Sequence, residues 1–306
     1  MSRPFNSAPT EMIAPAAPQS AATDEAASSL QVLLNGQEPE ALEFLRECPV
    51  HTVFMSGRIR DHGLESYWHR GKFYASRDAR GELQGVALIG HHIIFAACSE
   101  ASLVAFAHQA RRCPGTRIIL GEQEAVARFW PHYAGANSPL TATRDLMLEQ
   151  TSLPATSYEV DGLRPANFAD LNYVLDAHAL MVEAERGSNP LKVDAAGFRE
   201  RLAQRVAQGR AWVWVEDGRL IFKADVVSET PDVFYLEGIY VNPADRGQGY
   251  GLRCLTHLSR QLLKRTKSVC LLVNEQNQSA QNLYRRAGFK LHSRYNTVHL
   301  STPHCR

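Results

Sequence analysis

The chain contains no apolar stretch approaching the ~20 residues needed to cross a bilayer, so no membrane-spanning helix is expected. It has no surplus of either charge. Lys and Arg total 33 against 32 Asp and Glu, a formal net charge of +1, so nothing asks for a nucleic acid or another polyanion as partner. Its six cysteines, at 48, 98, 113, 254, 270 and 305, form no Cys-x-x-Cys pair, which removes the usual zinc-ribbon and redox-motif readings. Cys254 and His257 lie three apart on a helical pattern, but two ligands do not make a metal site, and no metal is expected. Cys98, Cys254 and Cys270 sit in apolar patterns and read as reduced core residues of a cytosolic, cytoplasmic protein. The first 29 residues lack hydrophobic patterning and are rich in Ala, Ser, Pro and Thr. They show no basic start followed by an apolar core, so they read as a disordered tail and not as a secretory signal.

Two phosphate-binding signatures are also missing. No Gly-x-x-x-x-Gly-Lys-Ser/Thr string occurs. The dinucleotide fingerprint Gly-x-Gly-x-x-Gly fails in both registers, because its last glycine would fall on Leu252 or Cys254. What is present is the run Arg246, Gly247, Gln248, Gly249, Tyr250, Gly251. It follows an apolar, strand-like segment (residues 233–241) and opens a helical pattern (252–263). Glycines between a strand and a helix let the backbone turn tightly and gather N–H groups at one point. The helix adds unpaired first-turn N–H groups and the positive end of its dipole. Arg246 adds a full charge, and together these groups suit a diphosphate. A plain glycine-rich turn is the competing interpretation.

Downstream, residues 268–273 form a continuous apolar run of strand length. Asn277 is suited to cap a helix ending at Ala287, and Gly288 suits its left-handed terminator. Ala280, Leu283, Tyr284 and Ala287 fall on one face of that helix. This strand, Asn cap, Leu-Tyr helix and Gly-Phe close resembles the second half of a GNAT-superfamily N-acetyltransferase. Residues 246–251 resemble that family's acetyl-CoA pyrophosphate loop. Residues 162–166 look like its first strand and 167–186 like its first helix. Residues 211–216 and 219–228 read as a hairpin turning at Asp217-Gly218. The resemblance covers roughly residues 158–300. It is closest to a subgroup with an uncharacterised N-terminal domain, whose members look like the strings at 183–190, 209–212, 222–225 and 272–277 of this chain.

The N-terminal half reads as the same fold worn down, an unrelated α/β domain with a similar element order being the alternative. A helix is expected over 38–48, strands over 51–59, 72–77, 83–89 and 92–97, a helix over 101–112, a strand over 117–120, a helix over 122–133 and a strand over 143–148. Residues 78–82, with Gly81, join a hairpin. Between His92 and Leu103 there is no Gly and no Arg, and Glu100 would repel a diphosphate. The fold class expected is therefore α/β (α+β): tandem GNAT-like mixed sheets flanked by helices, the N-terminal copy degenerate. The domains expected are the tail (1–29), the degenerate copy (30–150) and a catalytic domain (151–306).

The resemblance implies acetyl-CoA as acyl donor and direct attack by a primary amine of a small molecule or peptide. Such attack needs an acid and a base and no enzyme nucleophile. It assigns Tyr284 as the acid facing the thioester sulfur, a core tyrosine being the alternative. Glu237, beside Gly238 where a bulge could turn its carboxylate, is the candidate base, with a water chain as the alternative. Ile239, Tyr240 and Val241 are expected to pair with the pantetheine arm, and Asn277 to contact it. Glu183 and Glu185 end the first helix near where acceptors enter, to recognise or deprotonate a cation or simply as solvated charges. A noncatalytic CoA-thioester sensor or scaffold, or an aminoacyl transferase, would be the other readings.

Overall fold

The computed structural model describes residues 29–135, 139–154 and 156–300. The expected tail lies outside the described residues except for its last position, Ser29, as does Cys305. The N-terminal half runs β1 (Ser29–Val32), α1 (Glu38–Arg46), α2 (Pro49–His62), β2 (Gly71–Arg77), β3 (Leu83–Gly90), β4 (His92–Ala97), α3 (Glu100–Arg111), β5 (Ile118–Glu122), α4 (Gln123–Ala134) and β6 (Pro139–Gln150). The C-terminal half runs β7 (Leu163–Pro165), α5 (Leu171–Arg186), α6 (Pro190–Val193), α7 (Ala195–Ala207), β8 (Ala211–Glu216), β9 (Arg219–Glu229), β10 (Val233–Val241), α8 (Tyr250–Leu262), β11 (Ser268–Asn274), α9 (Gln278–Ala287) and β12 (Lys290–Leu300). The twelve strands among the described residues join one mixed sheet in the order β1-β2-β3-β4-β5-β12-β6-β11-β10-β9-β8-β7.

That order is palindromic. Reading inward from either end, β1 corresponds to β7, β2 to β8, β3 to β9, β4 to β10, β5 to β11 and β12 to β6. Each half thus builds the same partial sheet, and the two last strands are exchanged. β6 pairs antiparallel with β11 of the other half, and β12 pairs antiparallel with β5. The exchanged strands pair with each other at the centre, from Lys290↔Glu149 to Leu300↔Pro139. The repeated element order expected of the N-terminal half is present in residues 92–150.

Local chemistry accounts for most boundaries. The β8–β9 hairpin turns at Asp217 (φ 50°) and Gly218 (φ 71°), the left-handed pair that matches strand twist. Asn277 Oδ1 accepts from the Ala280 N–H (3.1 Å), and α9 ends at Gly288 (φ 104°). One expected strand is overturned: residues 51–59 belong to α2. Pro49 occupies the first helical turn, where its missing N–H costs nothing, and Gly63 (φ 70°) ends the helix. The helix is buried on most of its circumference, including Thr52, Ser56 and Gly57, so its apolar residues show no 3.6-residue stripe. Cys98 is also not a core residue. It is exposed in the turn between β4 and α3, whereas Cys254 and Cys270 are buried.

Helix α2 ties the halves together. Its Val50 and Val53 pack with Met147, Val233, Tyr235, Cys270 and Tyr295 over the sheet centre. A Cβ on Gly57 would lie 2.6 Å from Ser228 Cβ, so only glycine lets α2 approach β9 this closely. Arg210 grips Asp61 through two hydrogen bonds, of 2.6 and 2.8 Å. No helix among the described residues is long and apolar enough to cross a membrane.

Candidate active site

The site begins where two strands part. β10 and β11 pair in parallel from Val233↔Ser268 to Leu236↔Leu271, and no pair follows. On the other edge of β10 the ladder to β9 runs to Glu237↔Asp225 and resumes at Tyr240↔Lys223. Two residues of β10, Gly238 and Ile239, thus oppose one residue of β9. This bulge bends β10 away from β11 and leaves a groove beside residues 237–241. Gly238 takes φ 60° at the bend.

The groove leads to the glycine loop. Asn242 caps a short turn over Pro243–Asp245, and buried Asp245 accepts from Arg219 (2.9 Å). Arg246 Nε donates to the Val241 carbonyl (3.2 Å), which holds its side chain back along the strand end. Gly247 and Gly249 both sit in the left-handed region, at φ 80° and 81°. Gly249 is the N-cap of α8 and has no side chain to satisfy the first-turn N–H groups. The uncapped helix start, the two left-handed glycines and Arg246 fit a diphosphate. The same junction in the N-terminal half does not. There Ser99 caps α3 by accepting from the Ser102 N–H (3.2 Å), and Glu100 pairs with Arg128 (2.7 Å) and His132 (2.9 Å). β4 and β5 also part after Ile93↔Ile119. The space beside them is a cavity of ≈ 190 Å³ lined by Cys48, Phe54, Ile94, Leu120, Tyr235 and Tyr295, among others. Arg128, which also lines it, is held by Glu100 (2.7 Å).

Tyr284 lies on the buried face of α9, in the core cluster with α8 and the strands. Burial, reinforced by Glu185, pushes its hydroxyl up to about 12. Glu185 itself is exposed at the end of α5, and Glu183, also exposed, accepts from Asn189 Nδ2 (3.1 Å). Glu237 is half-buried on the opposite face of the sheet from α8 and α9. It shares that face with Tyr235, whose hydroxyl pKa is pushed well up by burial first and by the neighbouring Glu237 carboxylate second. Arg58, from α2, supplies the facing positive charge. Burial lowers its pKa while Glu237 and Asp61 oppose that. So α2 of the N-terminal half walls the side of the bulge where Glu237 stands.

A cluster that sequence reasoning did not assign lies directly beneath the bulge. Lys223 and Asp225, both fully buried, project from β9 toward α5 and α7. Lys223 Nζ donates to Asp225 Oδ2 (2.5 Å) and to the Gly238 carbonyl (3.3 Å). Arg205 donates to the same carboxylate oxygen (2.9 Å), and His178 Nδ1 stands 3.5 Å from it and 3.4 Å from Lys223 Nζ. Burial pushes the Lys223 and His178 pKa values down. For Asp225, burial acts upward, but the Lys223 and Arg205 charges outweigh it and hold the carboxyl well below its usual range. The available signal was the string Phe-Lys-Ala-Asp: two charges two residues apart in an apolar strand must share one buried face.

Residues 177–289 match the acetyltransferase (GNAT) family. No curated protein matches the chain. Among solved structures it is similar to a GNAT-family acetyltransferase from Colwellia psychrerythraea, with TM-score 0.56 and 14% identity, covering 89% of this chain and 100% of that one. It is similar to a GCN5-related N-acetyltransferase from Sphaerobacter thermophilus, with TM-score 0.58 and 15% identity over 90% of this chain and 96% of that one. A tandem GNAT protein from the clavulanic acid biosynthesis pathway gives TM-score 0.52 and 13% identity, over 89% and 98%. At such identities these likenesses speak for the fold, and they extend across both halves. The parted strands and the uncapped glycine-loop helix thus lie in the segment, residues 177–289, that matches the acetyltransferase (GNAT) family, within a tandem GNAT-like fold.

Proposed function

We propose that the chain transfers an acetyl group from acetyl-CoA to a primary amine by direct attack on the thioester. One observation carries this reading: the groove opened by the β10 bulge runs into an uncapped helix start flanked by Arg246. Residues 247–251 and the first N–H groups of α8 hold the diphosphate, with Arg246 at its rim. The free edge of Ile239, Tyr240 and Val241 pairs with the pantetheine arm like an added strand. Asn277, whose Oδ1 is engaged in its cap, offers its amide N–H groups to the same arm.

The chemistry forms an N–C bond and breaks the C–S bond. Glu237, directly or through a water chain, takes the ammonium proton, and the amine then attacks. The Ile239 N–H, one of the two bulge residues outside the β9 ladder, donates to the developing oxyanion. Tyr284 keeps its proton throughout the neutral range because burial holds its hydroxyl at about 12, so it can donate to the departing thiolate and recover a proton from the second one that the nitrogen loses as the amide forms. The N-terminal half contributes α2 and Arg58 to the acceptor side and binds no CoA of its own. The division into a degenerate copy (30–150) and a catalytic domain (151–306) belongs to this proposal. So does a cytoplasmic setting, for which the reduced cysteines and the acetyl-CoA supply argue.

Thiol release from acetyl-CoA with a panel of amines tests the reading. Tyr284→Phe should lower turnover by about 100- to 10,000-fold while leaving acetyl-CoA affinity nearly unchanged. Tight acetyl-CoA binding without thiol release for any amine would defeat the catalytic reading and leave a thioester sensor.

A further inference from the structure

The buried charge cluster under the bulge has a job that packing alone does not explain. Placing a lysine and an aspartate in a sheet with no solvent exposure is costly, and hydrophobic residues of similar volume would serve stability as well or better. Asp225 Oδ1 has no hydrogen-bond partner, so the cluster is not even fully satisfied. What the pair does accomplish is specific. Lys223 Nζ directs one N–H to the Gly238 carbonyl at 3.3 Å. That carbonyl belongs to the peptide unit whose N–H is that of Ile239. In a trans peptide the C=O and N–H point in opposite directions. Pulling the Gly238 oxygen toward α5 therefore turns the Ile239 N–H away from α5, toward the groove between the parted strands.

The fit around Gly238 enforces this. A Cβ at Gly238 would lie 2.8 Å from both Asp225 Oδ2 and Lys223 Nζ, and 3.4 Å from His178 Nδ1. The space a side chain would fill is occupied by the charged heads themselves. Asp225 and Arg205 fix the ammonium: the carboxylate takes it at 2.5 Å and is itself held by Arg205 at 2.9 Å. A positive charge behind the Gly238 carbonyl also polarises the whole peptide, making the Ile239 N–H a better donor.

We infer that Lys223, anchored by Asp225 and Arg205, is a positioning residue for acyl transfer: it clamps the Gly238–Ile239 peptide so that the Ile239 N–H is aimed at the thioester carbonyl. The inference rests on the acetyl-transfer reading above. It adds a prediction that reading does not make, namely that a fully buried lysine far from the diphosphate controls the polarisation of the bound carbonyl.

The test uses the full chain with acetyl-CoA labelled with ¹³C at the thioester carbonyl. Infrared difference spectra read the carbonyl stretch, which a hydrogen bond moves to lower frequency. Calorimetry reads the affinity for CoA, and thiol release reads turnover. Two variants are compared with wild type. Lys223→Met removes the donor. Lys223→Met/Asp225→Leu removes the pair together, so that no uncompensated carboxylate is left to unfold the protein. The expected result is a carbonyl stretch shifted down in wild type and restored toward its solution value in both variants. Turnover should fall about 100-fold, the scale of losing one oxyanion donor, with CoA affinity within about threefold. A variant that keeps the shifted stretch, or turnover within threefold of wild type, overturns the inference. So does a CoA affinity that falls in step with turnover, which would mark a structural role. If wild type binds acetyl-CoA with an unshifted carbonyl, the clamp is wrong while the CoA site stands. If wild type does not bind acetyl-CoA at all, the functional reading fails first.

Discussion

At the scale of single residues, what decides the site is where charge is buried. Asp225 is the extreme case, surrounded by Lys223, Arg205 and His178 with no solvent contact. Asp225→Asn should leave the Lys223 ammonium and the Arg205 guanidinium without their counter-ion. Breaking a buried pair in this way costs about 3–5 kcal/mol, measurable as a lower urea midpoint with unchanged slope. The pH dependence has a definite sign. The folded carboxyl titrates well below the unfolded value of about 3.9, so its contribution is fully present above pH ~4–5. It is lost as pH falls from there toward the folded pKa. The variant should lose that part of the acid limb, and an acid-unfolding profile identical to wild type would remove Asp225 from the account. Residues of this kind were poorly legible. Tyr284, Asn277 and Gly288 announce themselves through local motif and capping chemistry. Lys223 and Asp225 acquire meaning only when α5, α7 and the bulge close over them, which is a non-local event.

At the scale of elements, the two halves contrast two ways of starting a helix after a strand. α8 starts on a left-handed glycine with its N–H groups free, and α3 starts on a serine cap with a paired glutamate behind it. One junction is open to an anion and the other is closed. Gly249→Val should therefore abolish most CoA binding. Space is not the reason, since a Cβ there meets nothing within 4 Å. The reason is the backbone: φ 81° is a region a β-branched residue scarcely visits, so the loop must refold and its N–H groups scatter. Calorimetry should show one acetyl-CoA site per wild-type chain and almost none in the variant. Two equivalent sites would mean that the N-terminal junction binds after all. The loop, β10, α9 and the β8–β9 hairpin were readable because each carries its own turn or cap residues. Helix α2 was not, because a helix buried nearly all round loses the periodicity that identifies it. Pro49 and Gly63 marked its ends, and they were the better guide.

At the scale of the whole molecule, the exchanged strands make the halves one object, and this is the level least visible in a linear sequence. The repeat of element order could be read along the chain. The crossing of β6 and β12 could not, since nothing local to residues 139–150 says which sheet they enter. Its consequence is concrete. A fragment starting near Ser152 keeps α8, α9 and the glycine loop, yet it loses the strand between β11 and β12. Val269–Asn274 of β11 would then present unpaired N–H and C=O groups along a strand that is otherwise central. β12 would lose both its partners, β6 and β5. The apolar face under α2, with Val233, Tyr235 and Cys270, would open to water. An exposed central strand beside an apolar patch is a template for aggregation. The fragment should accumulate as insoluble or oligomeric material, and any soluble portion should show neither a cooperative thermal transition nor thiol release from acetyl-CoA. Supplying residues 29–150 as a separate chain during refolding should restore a soluble complex, because β6 then has its slot. A monomeric, cooperatively folding and active fragment would show that β11 and β12 can close up without β6, and that the N-terminal half is an accessory and not part of the catalytic sheet.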